Sequence, residues 1–350
     1  LVARSRAAAL DSRDYMFAAS HTSVISPKTV NELRFQVASR EQSVNSLDPT
    51  CNGECDREDE GGPTLEVTGV ASVGRQRFTP QPRENVRYQI LDTVSYYTGK
   101  HQLKAGLDFN HVDNKNQSLP LHFGGRYILQ ALQLPLVPGL PPFPVSAIQG
   151  VALGLPAAYV QGYGNSAAPY KYKDISLFAQ DDWRITSQLT VKAGVRYQKQ
   201  YWDEITYNVA GFPGSYTFPQ DSNNLAPRVA VAWDPIGDKK TSVHAAYGIF
   251  FDNHITGISG ITKAINGENG VRTIVVTAPI AFTTWASPGH RVSEERAAQL
   301  VGGAFPSLEI SIDPGLETPY AHHVAVGVDR ELPGQLSVSG NFVYVRGFKQ

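Results

Sequence analysis

Gln188-Leu189-Thr190-Val191-Lys192-Ala193-Gly194-Val195-Arg196-Tyr197-Gln198 alternates without a break. The odd positions are Leu, Val, Ala, Val and Tyr, and the even ones are Thr, Lys, Gly, Arg and Gln. Successive side chains of a β-strand point to opposite faces, so one face of this stretch is apolar and the other polar. The pattern recurs over 101–110, where Leu103, Ala105, Leu107 and Phe109 alternate with Gln102, Lys104, Asp108 and Asn110. It recurs again over 335–344, where Leu336, Val338, Phe342 and Tyr344 alternate with Ser337, Ser339 and Asn341. Shorter versions contain Leu33, Phe35 and Val37; Val86, Tyr88 and Ile90; Val229, Val231 and Trp233; Val243, Ala245, Tyr247 and Ile249; and Val324, Val326 and Val328.

Turn residues join these stretches in pairs, near Ser26-Pro27-Lys28, Thr98-Gly99-Lys100, Thr186-Ser187, Gly237-Asp238-Lys239 and Pro333-Gly334. Between the pairs lie long connections at 45–83, 114–170, 203–224 and 253–317. Short turns alternating with long loops predict an all-β fold, a transmembrane antiparallel β-barrel with long extracellular loops and roughly ten strands in this chain. Residues 1–350 read as part of one such barrel domain, with no plug or regulatory domain. A soluble sandwich or propeller also alternates, but compact domains rarely tolerate connections this long. Aromatic placement favours the barrel as well. Tyr96, Trp183, Tyr197, Trp202, Trp233 and Tyr344 fall near strand ends, where membrane barrels carry interfacial girdles. Lys104, Asp108, Lys192 and Arg196 are then expected to face the lumen.

The composition agrees. Charged residues make up 18%, while Tyr (16) and Phe (15) are plentiful, which suits strands with one face in lipid. A net charge of −1 argues against nucleic acid as a partner, because phosphate binding needs a clustered basic surface. The uncharged span between Arg126 and Lys171 is interrupted by Pro135, Pro138, Pro141, Pro142, Pro144 and Pro156, so it is no membrane helix. It reads as a loop holding one short helix near Val145 to Leu155. Leu1 opens into the folded pattern without an export signal, so an upstream segment is expected. Cys51 and Cys55 enclose Asn52-Gly53-Glu54 and read as a local disulfide of an oxidising compartment. A zinc site would need further soft ligands nearby.

Chemistry-bearing clusters are few. Asp181 and Asp182 are neighbours in a strand, so they diverge and cannot share a substrate. His322 and His323 diverge for the same reason. The acidic run Glu54, Asp56, Glu58, Asp59 and Glu60 lacks the alternate spacing of a calcium loop. No nucleophile, phosphate-loop or dinucleotide motif appears, so neither a catalytic residue nor a cofactor or metal is expected. The glycines of Gly257 to Gly270 read as loop freedom. Tyr201, Trp202, Tyr207, Phe212, Tyr216 and Phe218 suit stacking on a sugar or peptide, or ordinary loop packing.

Several runs resemble a known family. Leu177-Phe178-Ala179-Gln180-Asp181-Asp182-Trp183, followed by Leu189 to Tyr197, resembles a hairpin of Oar-like TonB-dependent receptors. Asn224-Leu225-Ala226-Pro227-Arg228 leading to Ala232-Trp233-Asp234-Pro235 is similar to a strand of that family, as is Ala246-Tyr247-Gly248-Ile249-Phe250-Phe251-Asp252. Thr318-Pro319-Tyr320-Ala321-His322 with Val328-Asp329-Arg330-Glu331-Leu332-Pro333 resembles another. Asn31 to Phe35 and His101 to Gly106 extend the likeness into the first half. The resemblance implies a receptor in the outer membrane of a diderm bacterium. It would contact lipid, bind a ligand outside the cell, and respond to the TonB complex through a plug that this chain does not show. A non-transporting adhesion or structural barrel and a soluble secreted β-protein are the competing readings. On the barrel reading, charge at Val191 or Ala193 impairs insertion, and the same change at Thr190 or Lys192 is mild.

Overall fold

The alternating stretches become strands because each can satisfy its backbone only by pairing with a neighbour, and their two-residue period fixes which face each side chain joins. The computed structural model describes the chain except residues 49–50, 52–53, 56–57, 59, 136–137, 139, 210–211, 217–219, 254–255, 267–270, 286–290, 304, 306–309, 311, 314 and 350. The first half contains β1 (Ala8–Ser26), β2 (Thr29–Ser46), β3 (Thr64–Val67), β4 (Ala71–Val73), β5 (Gln81–Thr98), β6 (His101–Lys115), β7 (Arg126–Leu129), β8 (Leu132–Leu134), β9 (Phe143–Val145), α1 (Ala147–Leu153) and β10 (Ala158–Tyr163). The second contains β11 (Tyr170–Arg184), β12 (Leu189–Trp202), β13 (Ile205–Val209), β14 (Phe212–Tyr216), β15 (Leu225–Trp233), β16 (Thr241–Phe251), α2 (Thr256–Asn266), β17 (Arg272–Thr277), α3 (Glu294–Leu300), β18 (Tyr320–Leu332) and β19 (Leu336–Phe348).

The long strands form one 10-stranded sheet in the order β1-β2-β5-β6-β11-β12-β15-β16-β18-β19. Every neighbouring pair in it is antiparallel. Leu177 pairs with Tyr197 and Leu107, so these three share a face, and Phe178 pairs with Arg196 and Gly106 on the other. Following the register outward puts Phe35, Ile90, Val195, Val229, Tyr247, Val326 and Phe342 on the Leu177 face. Lys104, Asp108, Gln180, Lys192, Arg196 and Arg228 share the other. The apolar face is the exposed one, with Leu177 at 51% and Phe342 at 63% of full exposure. A soluble sheet hides such a face; one that presents it over ten strands needs lipid against it.

Short turns gather at one end of the sheet. Gly99 (φ 55) opens the two-residue turn between Thr98 and His101, as a type II′ hairpin requires. Asp234 organises a longer turn, its carboxylate accepting hydrogen bonds from the backbone N–H of Gly237 (2.9 Å) and Lys239 (2.8 Å). At this rim His101 stacks on Trp183 with ring centroids 5.4 Å apart and holds Asp181 at 2.6 Å. Asp182, on the opposite face, holds Lys192. Asp92 falls on the apolar face and accepts a hydrogen bond from Asn31 (2.6 Å).

The long connections at the other end are not bare loops, and this corrects the sequence reading. Segments from three of them build a five-stranded sheet in the order β17-β10-β7-β3-β4. Within it β3 and β7 run parallel. The span after Arg126, read as a loop with one helix, also supplies β7 to β10. Its helix α1 is capped reciprocally: Ser146 Oγ accepts from Gln149 N, and Gln149 Oε1 accepts from Ser146 N. The Gly257–Gly270 stretch is a helix, α2, through Asn266; residues 267–270 lie outside the described residues. Apolar residues at Ile258, Ile261, Ala264 and Ile265 supply its helical period, which outweighs the propensity cost of its glycines. The 203–224 connection forms the hairpin β13–β14, which carries Tyr207, Phe212 and Tyr216; Phe218 lies outside the described residues.

The register sharpens the insertion test. Val191 pairs with Trp183 at the inner rim, where a charge reaches water cheaply, whereas Leu177 lies further into the apolar face. Leu177→Lys is expected to cost roughly 2–4 kcal/mol of barrel stability. Gln180→Lys, on the polar face, should cost under about 1 kcal/mol. Urea titration of the protein folded into vesicles, read by the gel-mobility shift of the folded barrel, checks both.

Candidate functional site

The polar face of the sheet is the wall a ligand would meet. At its centre, Asp108 collects three donors: Gln89 Nε2 at 2.9 Å, Asn110 Nδ2 at 3.1 Å and Arg196 Nη2 at 3.5 Å. Lys192 Nζ lies 2.8 Å from Asp182. Lys104 is on the same face and makes no ion pair among the described residues. Arg228 lacks a carboxylate partner among them too, and lies over the Phe250 ring, 4.2 Å from its centroid. Phe178 fits between its neighbours because Gly106 faces it: a Cβ there would come within 2.6 Å of the Phe178 ring.

Two recesses open on this wall. The inner one, about 560 Å³, is lined by Phe178, Lys192, Arg196, Arg228, Phe250 and His323. Small residues, among them Gly194, Ala230, Ala246 and Gly248, line it and leave the space open. The outer one, about 300 Å³, is lined by Asp108, Asp174, Ser176, Gln198, Gln200 and Asn224. Asn224 is 2% exposed and donates to Thr318 Oγ1 at 3.1 Å, yet its Oδ1 has no hydrogen-bond partner among the described residues. Asp174 Oδ1 is in the same position. A buried acceptor without a donor is costly, so this recess is suited to a ligand or water that brings donors.

Above the wall sits the small sheet with its own core. Tyr127, Tyr159 and Trp285 pack at its centre, with centroids 4.7 and 4.9 Å from Tyr127. Tyr127 donates to the Thr284 carbonyl (2.7 Å) and Tyr163 to that of Val292 (2.9 Å). Burial pushes the Tyr127 phenol up to about 12, and raises those of Tyr159 and Tyr163 as well. Arg75 is fully buried and donates to the carbonyls of Glu58, Glu60 and Thr79, which folds the acidic segment around a cation; Asp56 and Asp59 lie outside the described residues. The Cys51–Cys55 disulfide closes that segment. The small sheet and this segment form the cap. On the polar face of the wall, Tyr170, Tyr172 and Trp202 pack with Val112 against Ile312 of the 253–317 connection.

The sequence-selected aromatics therefore separate. Tyr96, Trp183 and Trp233 lie on the apolar face near the inner turns, and Tyr197 and Tyr344 on the same face further out. Trp202, expected at the lipid interface, is instead 5% exposed on the polar face, packed on Tyr172 with ring centroids 5.1 Å apart. Its even position on β12 assigned it to that face and was the signal available. His322 and His323 diverge, His322 to the Tyr247 hydroxyl (2.8 Å) and His323 against Phe250. The sequence reading did not single out Arg228, Asn224 or Asp174.

His122, in the cap, supplies a pH test. Burial first, and then the charges of Arg126 and Arg77, lower it from 6.5 to about 4. An unfolded cap takes up a proton that the folded one refuses, so stability present above the unfolded value falls as pH drops from 6.5 towards 4. Protease sensitivity of the cap should rise over that window, and less so in His122→Asn, since Asn tolerates the positive φ of 58° found there.

Comparison with known proteins places this geometry. The family described as outer membrane beta barrel domain matches residues 5–349. A search of curated protein sequences returned no match. Among solved structures, the outer membrane transporter YddB from Escherichia coli is similar, with a TM-score of 0.52 and 12% identity over 97% of this chain and 34% of that one. The pyoverdine outer membrane receptor FpvA from Pseudomonas aeruginosa PAO1 has a TM-score of 0.49 and 12% identity over 99% of this chain and 38% of that one. The chain thus spans about a third of the length of these structures. At such identity the likeness to YddB is one of fold.

Proposed function

The chain belongs to the outer membrane β-barrel domain family, a wall of the outer membrane of a Gram-negative bacterium, and from that premise we propose that it serves an Oar-like TonB-dependent receptor that captures a ligand outside the cell and admits it through the lumen. The carrying observation is the recessed polar wall, joined through the outer connections to a second, five-stranded sheet. A structural barrel needs neither an arginine without a carboxylate partner nor buried acceptors left without donors. Both are binding capacity held in reserve.

The inner recess suits an anionic or aromatic ligand group. Arg228 offers a cation already oriented over Phe250, with Arg196 and Lys192 beside it. Lumen residues and cap together would select the ligand, and energy from the inner membrane would release it through a plug. The resemblance to Oar-like receptors in the hairpin and strand runs supports this over a passive adhesin.

The test compares a strain lacking the gene with one carrying it, each with and without a working TonB complex, and measures by mass spectrometry which compounds disappear from the medium. The reading expects compounds depleted only when both are intact, and depletion slowed roughly tenfold by Arg228→Gln, the loss of a hydrogen bond to a charged group. Depletion that ignores TonB would contradict energised uptake.

A further inference from the structure

The apolar face changes character at its outer end. The register aligns Tyr88 of β5, His111 of β6, Lys173 of β11 and Tyr201 of β12 in one cross-strand row. These residues continue the face that carries Leu177 and Val195. Lys199, diagonal to Lys173 on the same face, holds its ammonium 4.8 Å from the centroid of Tyr201. Across the sheet the arrangement repeats: His322 pairs with Arg346, whose guanidinium lies 4.9 Å from the centroid of Phe348. Phe251, Tyr320 and Phe348 line up beyond them.

Two nearby carboxylates are already engaged. Asp113 holds Lys171 at 3.2 Å and Glu317 holds Lys349 at 2.7 Å. Among the described residues Lys173, Lys199 and Arg346 make no ion pair, and the buried Nδ1 of His111 has no hydrogen-bond partner. Besides the Tyr201 ring, Lys199 donates to the hydroxyl of Ser222, at 2.8 Å. At the inner rim of the same face Tyr96 and Trp183 flank His101, whose ring nitrogen is hydrogen-bonded to Asp181. Among the described residues, lysines of the inner turns such as Lys28 and Lys100 make no ion pair either, but at the outer rim Lys173, Lys199 and Arg346 lie on the strands of the lipid-facing surface itself, interleaved with aromatic rings.

The outer leaflet of such a membrane is built from phosphorylated glycolipid, whose headgroup offers phosphates at that depth and sugar faces above it. We propose that the row Tyr88–His111–Lys173–Tyr201, with Lys199, is a docking strip for the phosphates of an outer-leaflet glycolipid of the lipid A type. Lys173 and Lys199 meet the phosphate, and the two tyrosines cover the glucosamine edge. Two diagonal ammonium groups on adjacent strands match a phosphate better than one snorkelling lysine, which only seeks water.

The experiment is native mass spectrometry of the full-length protein released from detergent after incubation with bisphosphorylated lipid A, its dephosphorylated form, or phosphatidylglycerol. Lipid A adducts should survive on the wild type and on Lys28→Gln at an inner turn, and fall by at least about fivefold in Lys173→Gln/Lys199→Gln. A gel-mobility shift confirms that each variant is folded; should the double variant fail it, Lys173→Gln alone carries the test. Equal retention of the dephosphorylated lipid, or undiminished adducts on the folded variant, would overturn the proposal. Phosphatidylglycerol held as tightly as lipid A would show a general phosphate contact and refute the glycolipid assignment.

Discussion

Every backbone N–H and C=O that faces lipid must be paired with a neighbouring strand, and the rest of this structure follows from that pairing. β11 lies near the middle of the wall and is laddered on both sides, to β6 and β12. With its register fixed twice over, the alternation of its side chains is imposed on both neighbours, and theirs on the next. A slip of one residue would exchange Leu177 for Phe178 and put Gln180 and Asp182 into lipid, so the hydrophobic pattern and the hydrogen-bond ladder lock each other. The polar face is a consequence: once lipid claims the odd positions of β11 and β12, the charged groups at the even positions can only pair among themselves across the strands.

That constraint also explains where function can reside. The wall spends its outward face on lipid and its backbone on ladders, which leaves the inward side chains and the outer connections free to vary. Asp108 with Arg196, and Asp182 with Lys192, compensate most of the wall's charge. Among the described residues Lys104 and Arg228 lack a carboxylate partner, and one acceptor atom each of Asn224 and Asp174 lacks a donor. Beyond the outer recess, Trp202 and its two tyrosines pack on the polar face against Ile312 of the 253–317 connection.

The wall was legible in the sequence because its period persists over long strands and is punctuated by Gly, Pro and Asp turns. Eight of the ten wall strands contain the alternating stretches, and the five short turns sit where turn residues fall; β11 was indicated only by the family resemblance, and β1 only by the turn that follows it. The cap was not. β3, β4 and β7 to β9 are three or four residues long, too short for a period to emerge, and β3 finds its partner β7 some sixty residues away. β17 carried a faint signal in Thr273-Ile274-Val275-Val276, a β-branched run inside a connection otherwise read as loop. Trp202 misled because residue type argued for the interface while position argued for the lumen, and position won. The recess acceptors were invisible for a different reason: whether Asn224 Oδ1 finds a donor depends on loops that sequence does not place.

The central claim is that the odd positions of β11 face lipid and the even positions face an aqueous interior. Single cysteines placed along 175–182, each labelled with a fluorophore in the protein folded into vesicles, test it directly. Quenching by a lipid-dissolved nitroxide should be strong at Ile175, Leu177, Ala179 and weak at Ser176, Phe178, Gln180, with a water-soluble quencher giving the opposite alternation. Quenching that is uniform along the strand, or alternation of the reverse parity, would contradict the account.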